Sequence, residues 1–216
     1  MRINQIIRSL NFFLTPTLIF GLTALYFTAS YGLAETQLWF NGFHNATLDQ
    51  LMPIYTYLGD GLVFLVLIPF FLMFKRRALL ALVFSGIMTL LFSSALKAYF
   101  NEPRPIKYFQ EVEGIELRQV PGVKAHYNHS FPSGHTTAAF AAWGVLAYFC
   151  RRKSLSLLFF ALASGVAFSR IYLNMHFLRD VGAGAFLGAF IAINAVYLSS
   201  KIKSPWANAT WFKSRA

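Results

Sequence analysis

The sequence predicts an all-α integral membrane protein built as a bundle of six transmembrane helices. Its 216 residues are 56% hydrophobic and only 12% charged, which is too apolar for an ordinary soluble domain. Long apolar stretches recur along the chain, and most cations lie between alternate stretches. No internal repeat or low-complexity tract is evident, so we expect one membrane domain over residues 1–216.

Six apolar stretches are long enough, or nearly so, to cross a hydrocarbon core of about 30 Å, which takes roughly 20 helical residues. The second and fourth are short, and we expect both to extend into their flanking segments. The first is longer than the apolar region of a signal peptide, about 7 to 15 residues, and is predicted to be a retained span. The six run from Leu10 to Leu33, Leu62 to Phe74, Ala78 to Phe100, Thr136 to Cys150, Leu155 to Leu173, and Val181 to Leu198.

The distribution of charges along the sequence predicts how this bundle is oriented in the membrane. With the N-terminus inside, twelve of the nineteen cations and none of the eight acids fall on the inner side, as the positive-inside rule requires. The net charge of +11 then reflects topology and anionic lipid, so we expect no nucleic-acid partner. The inner cations are Arg2, Arg8, Lys75, Arg76, Arg77, Arg151, Arg152, Lys153, Lys201, Lys203, Lys213 and Arg215.

Three polar clusters interrupt the apolar chain, and each falls at an outer end of a predicted span. Ionisable groups are costly in a membrane protein and mark functional sites. Together the clusters supply three cations, two imidazoles and one carboxylate, although up to 83 positions separate them. They are Lys97 with Arg104 and Pro105, then Pro132-Ser133-Gly134-His135, then Ser169-Arg170 with His176 and Asp180.

The cations indicate a site that handles phosphate. Phosphoryl transfer depends mainly on positioning and on stabilising the charge of the transferring group, which Lys97, Arg104 and Arg170 can supply. Pairing with acids or lipid head groups is the alternative, and it suits the cations of the loop between spans three and four better. Ser133 and Gly134 precede a predicted helix, where free amides bind anions; the alternative is an ordinary serine cap.

His176 and Asp180 are four residues apart, so on one helical face the carboxylate can orient the imidazole ring. A lone histidine on an apolar helix is more often a packing residue, but the cations and His135 favour a catalytic pair. The remaining histidines lack the spacing of metal ligands, and the single cysteine, Cys150, cannot build a metal site alone. The sequence predicts no metal and no cofactor.

The ordered set K-x6-R-P, P-S-G-H and S-R-x5-H-x3-D resembles the three-part signature of the type 2 phosphatidic acid phosphatase (PAP2) family, the membrane relatives of the vanadium haloperoxidases. The resemblance implies a PAP2/haloperoxidase-like core. It also implies that Lys97, Arg104, Ser133, Gly134 and Arg170 bind phosphate. By the same resemblance, three further residues are catalytic: the nucleophile His176, which forms a phosphohistidine, the orienting Asp180, and the general acid and base His135.

We therefore expect a metal-independent phosphatase that hydrolyses a lipid phosphate or diphosphate at the outer face of a bacterial inner membrane, with both termini cytoplasmic and the site periplasmic. The family possibilities for the substrate are undecaprenyl diphosphate, phosphatidylglycerophosphate, phosphatidic acid and lipid A phosphate. A lipid phosphotransferase using the same site and a non-catalytic carrier of anionic lipids are the alternatives. The expected partners are this substrate and membrane lipids, and no obligate protein partner is evident.

Overall fold

The computed structural model describes residues 2–211, and over this range the chain is helical with no β-strand. A short 3-10 helix follows α3, and one π-helical turn, Phe109–Glu113, follows α7. The α-helices are α1 (Ile3–Ser9), α2 (Asn11–Asn41), α3 (Ala46–Tyr55), α4 (Val63–Val66), α5 (Ile68–Phe71), α6 (Arg76–Phe100), α7 (Pro105–Tyr108), α8 (Gly134–Cys150), α9 (Lys153–Tyr172), α10 (Leu178–Lys201) and α11 (Pro205–Asn208).

Among the described residues, four helical segments are long and apolar enough to cross a membrane: Asn11–Asn41, Arg76–Glu113, Lys153–Tyr172 and Leu178–Lys201. They contain α2, α6, α9 and α10, and they correspond to the predicted first, third, fifth and sixth spans. Large apolar side chains are exposed along α2 and α6, as expected where lipid rather than protein covers a helix. The chain is an all-α integral membrane protein.

Helix α8, the predicted fourth span, is the central helix of the bundle. Its 17 residues would measure about 26 Å. Thirteen of them, Thr136 to Tyr148, are buried, and α6, α9 and α10 pack around it. A ring of other helices therefore holds α8, whose first residues belong to the second polar cluster.

Two glycines allow α10 to lie close against α8. A β-carbon on Gly184 would come within 2.8 Å of the Ser133 carbonyl oxygen, and one on Gly188 within 2.6 Å of Thr137 O and of Phe140 Cβ. Real side chains do not fit in such a gap, so this contact requires glycine. The close approach brings the start of α8 beside the start of α10.

The predicted count of six helices is not confirmed. The stretch Leu62 to Phe74, expected as the second span, forms two one-turn helices, α4 and α5, instead of one continuous helix. Pro69 falls in the first turn of α5 and has no N–H to donate to the preceding turn, so the helix of α4 does not continue through it. Two of the inner cations, Lys213 and Arg215, lie outside the described residues.

The long connection between α6 and α8 folds over the same end of the bundle as the three polar clusters. Its side chains Phe109 and Leu117 are buried against Phe177, which directly follows His176. Backbone bonds attach its last part to its first: the N–H of Arg104 donates to Tyr127 O, and that of Ser130 to Glu102 O. The connection is thus a compact cover at the end of the bundle that carries the clusters.

Candidate active site

His176 lies in the tight turn between α9 and α10. The N–H groups of Met175 and His176 both donate to the Arg170 carbonyl, at 3.0 and 3.2 Å, which closes the end of α9. The side chain of His176 is 1% exposed. The turn therefore fixes the backbone of the histidine and encloses its ring inside the protein.

Asp180, one turn into α10, is fully buried and held by two donors. The Ser130 hydroxyl donates to Asp180 Oδ2 at 2.6 Å, and the Phe177 N–H donates to the same oxygen at 3.0 Å. The carbonyl of Asp180 in turn accepts from the Ser133 N–H at 3.1 Å. These contacts join the second and third polar clusters at one point.

The imidazole and the carboxylate face each other, as their spacing predicts. His176 Nδ1 lies 3.7 Å from Asp180 Oδ2, a distance for an ion pair but longer than a hydrogen bond. Catalytic hydrogen bonds are often long without substrate and shorten when it binds. Because Nδ1 faces the carboxylate, the Nε2 atom on the opposite edge of the ring is left for chemistry.

Burial lowers the pKa of the His176 imidazole well below its ordinary value of 6.5. The charges of Arg104, Arg170 and Lys97 lower this pKa further, since a cationic ring would add a fourth positive charge to the group. His176 is therefore neutral at physiological pH. A neutral imidazole has a nitrogen lone pair, which a nucleophile requires.

Arg104 and Arg170 are both buried and held by neutral partners. Arg104 donates from Nε to Asn128 O at 2.9 Å and from Nη1 to Met175 O at 3.3 Å. Arg170 donates from Nη1 to the Thr56 hydroxyl at 2.8 Å, while its Nε is buried with no hydrogen-bond partner among the described residues. Among the residues that the structure describes, neither side chain is paired with a carboxylate, so their charge is available to an anion.

Lys97 reaches from the end of α6 to the beginning of α8. A β-carbon on Gly134 would lie 3.1 Å from Lys97 Nζ, so the ammonium group touches the helix start. Ser133 is the N-cap of α8, and its oxygen accepts from the Thr136 N–H at 3.4 Å and from the Thr136 hydroxyl at 2.9 Å. The capping alternative is thus observed, and the Ser133 hydroxyl still has its own hydrogen to donate.

All eight predicted site residues meet at this end of the bundle. His135 and Lys97 are partly exposed while the rest, apart from Gly134, are buried, so the site opens towards these two side chains. The family model described as "PAP2 superfamily" matches residues 78–204, which include every one of these positions. The chain belongs to the PAP2 superfamily.

Two relatives of this chain are named as phosphatases of lipid phosphates. An undecaprenyl-diphosphatase of Sulfolobus acidocaldarius is 26% identical over 157 residues, 72% of each chain. A dihydrosphingosine 1-phosphate phosphatase of Schizosaccharomyces pombe is 27% identical over 189 residues, which are 78% of this chain but only 42% of the yeast protein. The crystal structure of Aquifex aeolicus LpxE is 29% identical, with a TM-score of 0.62 over 78% of this chain and 94% of that chain.

Four residues that the sequence analysis did not single out support this PAP2 site. Ser130 fixes Asp180, and Thr56 holds Arg170. The guanidinium of Arg179 approaches the second carboxylate oxygen of Asp180, with Nε 3.5 Å from Oδ1, and pairs with Glu102 at the rim. The sequence does not reveal these contacts. The partners lie 50 to 114 positions apart, or they belong to no motif.

The other three histidines are not among the eight predicted site residues. His129 contacts the Lys97 carbonyl through Nδ1 at 3.2 Å, and His44 stacks on Tyr172 and contacts Asp49. Desolvation lowers the pKa of His126, and the charges of Arg104, Arg170, Lys124 and Lys97 lower it further. Among the described residues, no group of three or more His, Cys, Asp or Glu could hold a metal ion.

Proposed function

We propose that this PAP2 protein is a metal-independent phosphatase that hydrolyses a lipid phosphate or diphosphate through a phosphohistidine. The carrying observation is the buried His176, neutral and 3.7 Å from Asp180, near three cations that form no ion pair with a carboxylate among the described residues. The names of the relatives support a lipid substrate, since two of them are phosphatases of a prenyl diphosphate and of a sphingoid phosphate. The candidates are undecaprenyl diphosphate, phosphatidylglycerophosphate, phosphatidic acid and the phosphates of lipid A.

In the first step, His176 Nε2 attacks phosphorus while the bond to the leaving oxygen breaks. Burial and the charges of Arg170, Lys97 and Arg104 lower the pKa of His135 before substrate binds. The negative charge of the bound phosphate raises this pKa again, so His135 takes up a proton with the substrate and gives it to the leaving oxygen, and an alcohol or a phosphate departs. Lys97, Arg104 and Arg170 stabilise the charge on the equatorial oxygens, together with the amides at the start of α8. Asp180 orients the ring and stabilises its positive charge as the N–P bond forms.

In the second step, water attacks the phosphorus of the phosphohistidine. His135 takes a proton from this water, the N–P bond breaks, and inorganic phosphate leaves with His176 neutral again. Three fixed cations supply the charge stabilisation that a divalent metal provides in other phosphatases. For this reason the proposed reaction needs no metal and no cofactor.

The proposed location is a bacterial inner membrane, with the termini cytoplasmic and the site on the periplasmic side. The charge pattern supports this orientation, because acids accompany the cations only at the end of the bundle that carries the site. A site at that boundary can take an amphiphilic substrate directly from the outer leaflet. We propose no obligate protein partner.

The test is phosphate release by purified protein in lipid vesicles, assayed against the four candidate lipids with His176→Ala as the control. We expect release from at least one of them, unchanged by a chelator and inhibited by vanadate, which imitates the pentacoordinate transition state. Loss of activity in chelator that one added metal restores would contradict the mechanism. Transfer of phosphate to an added lipid acceptor, in place of release, would identify the phosphotransferase, and binding without either reaction would identify a carrier.

A further inference from the structure

A set of side-chain amides lies directly behind the His176 turn. Asn174, two residues before the histidine, is fully buried, and Gln37 on α2 is 1% exposed. Gln37 Nε2 donates to Asn174 Oδ1 at 2.8 Å and to the Ile171 carbonyl at 3.1 Å. One glutamine from a distant helix therefore holds both the end of α9 and the turn that follows it.

The same amides tie the turn to the loop that covers the site. Asn174 Nδ2 donates to the Arg118 carbonyl at 2.8 Å. Asn41 also holds the Arg118 peptide, since its Oδ1 accepts from the Arg118 N–H at 3.2 Å and its Nδ2 donates to the carbonyl at 3.0 Å. The turn is thus bonded to α2 directly and to the covering loop.

The backbone of Asn174 depends on the residue type as well. Its φ is +53°, in the left-handed region that asparagine tolerates better than most residues with a β-carbon. On the other side of the turn, Arg104 Nη1 donates to the Met175 carbonyl. The backbone just before His176 is therefore held between a phosphate-binding arginine and the buried amides.

We propose that Asn174 and Gln37 are positioning residues that hold the His176 ring in line with the phosphorus. They act through the turn and do not contact the substrate. The inference rests on the proposed nucleophilic role of His176. A displacement of about 1 Å from the attacking geometry can cost about a hundredfold in rate, so a loosened turn reduces catalysis while the cations still bind the phosphate.

Two variants test the proposal. Asn174→Gly keeps the left-handed backbone and removes the amide, and Gln37→Leu removes the donor while keeping the side chain's size. We expect kcat and the rate of phosphoenzyme formation to fall about tenfold or more in each, with KM within about twofold of wild type. The double variant should lose less than the two single effects combined, because both changes remove the same Gln37–Asn174 hydrogen bond.

The matched control is Asn101→Gly, which changes another left-handed asparagine, at the end of α6 and outside this set of amides, and should retain wild-type kcat. Wild-type kcat in a folded Gln37→Leu, or a raised KM with unchanged kcat, would overturn the inference. If Asn174→Gly does not fold, the kcat and KM of Gln37→Leu alone test the inference. Turnover by His176→Ala would instead overturn the proposed function, and this inference with it.

Discussion

At the scale of single residues, His176 and His135 are proposed to act on opposite sides of the phosphorus, so their variants should fail differently. His176→Ala should abolish turnover and the phosphoenzyme, because the nucleophile is gone. His135→Ala should fail most with a lipid alkoxide leaving group and recover part of the first step with a nitrophenyl phosphate, whose leaving group needs no proton. The measurement is the initial rate with both substrates and trapping of labelled phosphoprotein.

Two results would contradict these roles. One is an acid-labile, alkali-stable phosphoprotein in His176→Ala. The other is an identical dependence on leaving-group acidity in both variants, which would mean that His135 does not protonate the leaving group. The activity of Asp180→Asn should lie between those of His176→Ala and His135→Ala. This variant keeps the position of the His176 ring but lacks the charge that stabilises the cationic form of the ring.

Ser130 should matter to catalysis although it belongs to no predicted cluster. Its hydroxyl donates to the carboxylate that faces His176, and a hydrogen bond to a charged group contributes about 1.5–3 kcal/mol. Ser130→Ala should therefore lower kcat by about tenfold or more, with little change in KM. Ser85→Ala is the control, because Ser85 is equally buried but bonds only to the Leu82 carbonyl of its own helix.

The eight predicted residues could be gathered from the sequence because each belongs to a short motif at the end of an apolar stretch. Their roles stay predictions, while their convergence is a feature of the structure. Thr56, Ser130 and Asn174 could not be found in this way, because each acts through a partner chosen by the fold and not by spacing. In the sequence, Gln37 is only a polar residue near the end of a span. Its hydrogen bond to α9 depends on the packing of α2 against that helix.

At the scale of elements, the contact between α8 and α10 should tolerate no added methyl group. A β-carbon on Gly188 would meet Thr137 O and Phe140 Cβ at 2.6 Å. Gly188→Ala should destabilise the fold by about 1–3 kcal/mol, the usual cost of overpacking, and lower the thermal unfolding midpoint in detergent. Gly61→Ala, where no described atom lies within 4 Å of the new β-carbon, should leave the midpoint near wild type. Equal midpoints for the two variants would show that the contact is not tight.

Apolar length predicted the long helices well, since a span must satisfy its own backbone hydrogen bonds in lipid. The stretch from Leu62 to Phe74 was the exception, because apolar composition alone does not distinguish a continuous helix from short turns packed on the bundle. Pro69 was the residue in the sequence that indicated an interruption of this helix. The predicted end of the first span at Leu33 falls at a kink in α2: Gly32, with φ of +83°, is not helical, and a second helical part continues to Asn41.

At the scale of the whole molecule, the charge pattern predicts that the α8–α9 junction is cytoplasmic. Cys150, beside Arg151, should react with a membrane-impermeant thiol reagent only after the cytoplasmic side is opened. The control is Glu113→Cys in a Cys150→Ser background, which places an exposed thiol on the proposed outer loop and should react in intact cells. Labelling of Cys150 in intact cells would reverse the orientation.

The burial of α8 also separates the start of this helix from the bilayer. Helices α2 and α6 expose their apolar side chains to lipid, whereas α8, which begins at the proposed phosphate site, is enclosed by protein along most of its length. A membrane that becomes thicker or thinner acts on lipid-facing helices, which adjust by tilting. In this arrangement α2 and α6 take up such a change first, so we expect the start of α8 to keep its geometry while the contacts of Gln37 on α2 and Lys97 on α6 respond to bilayer thickness.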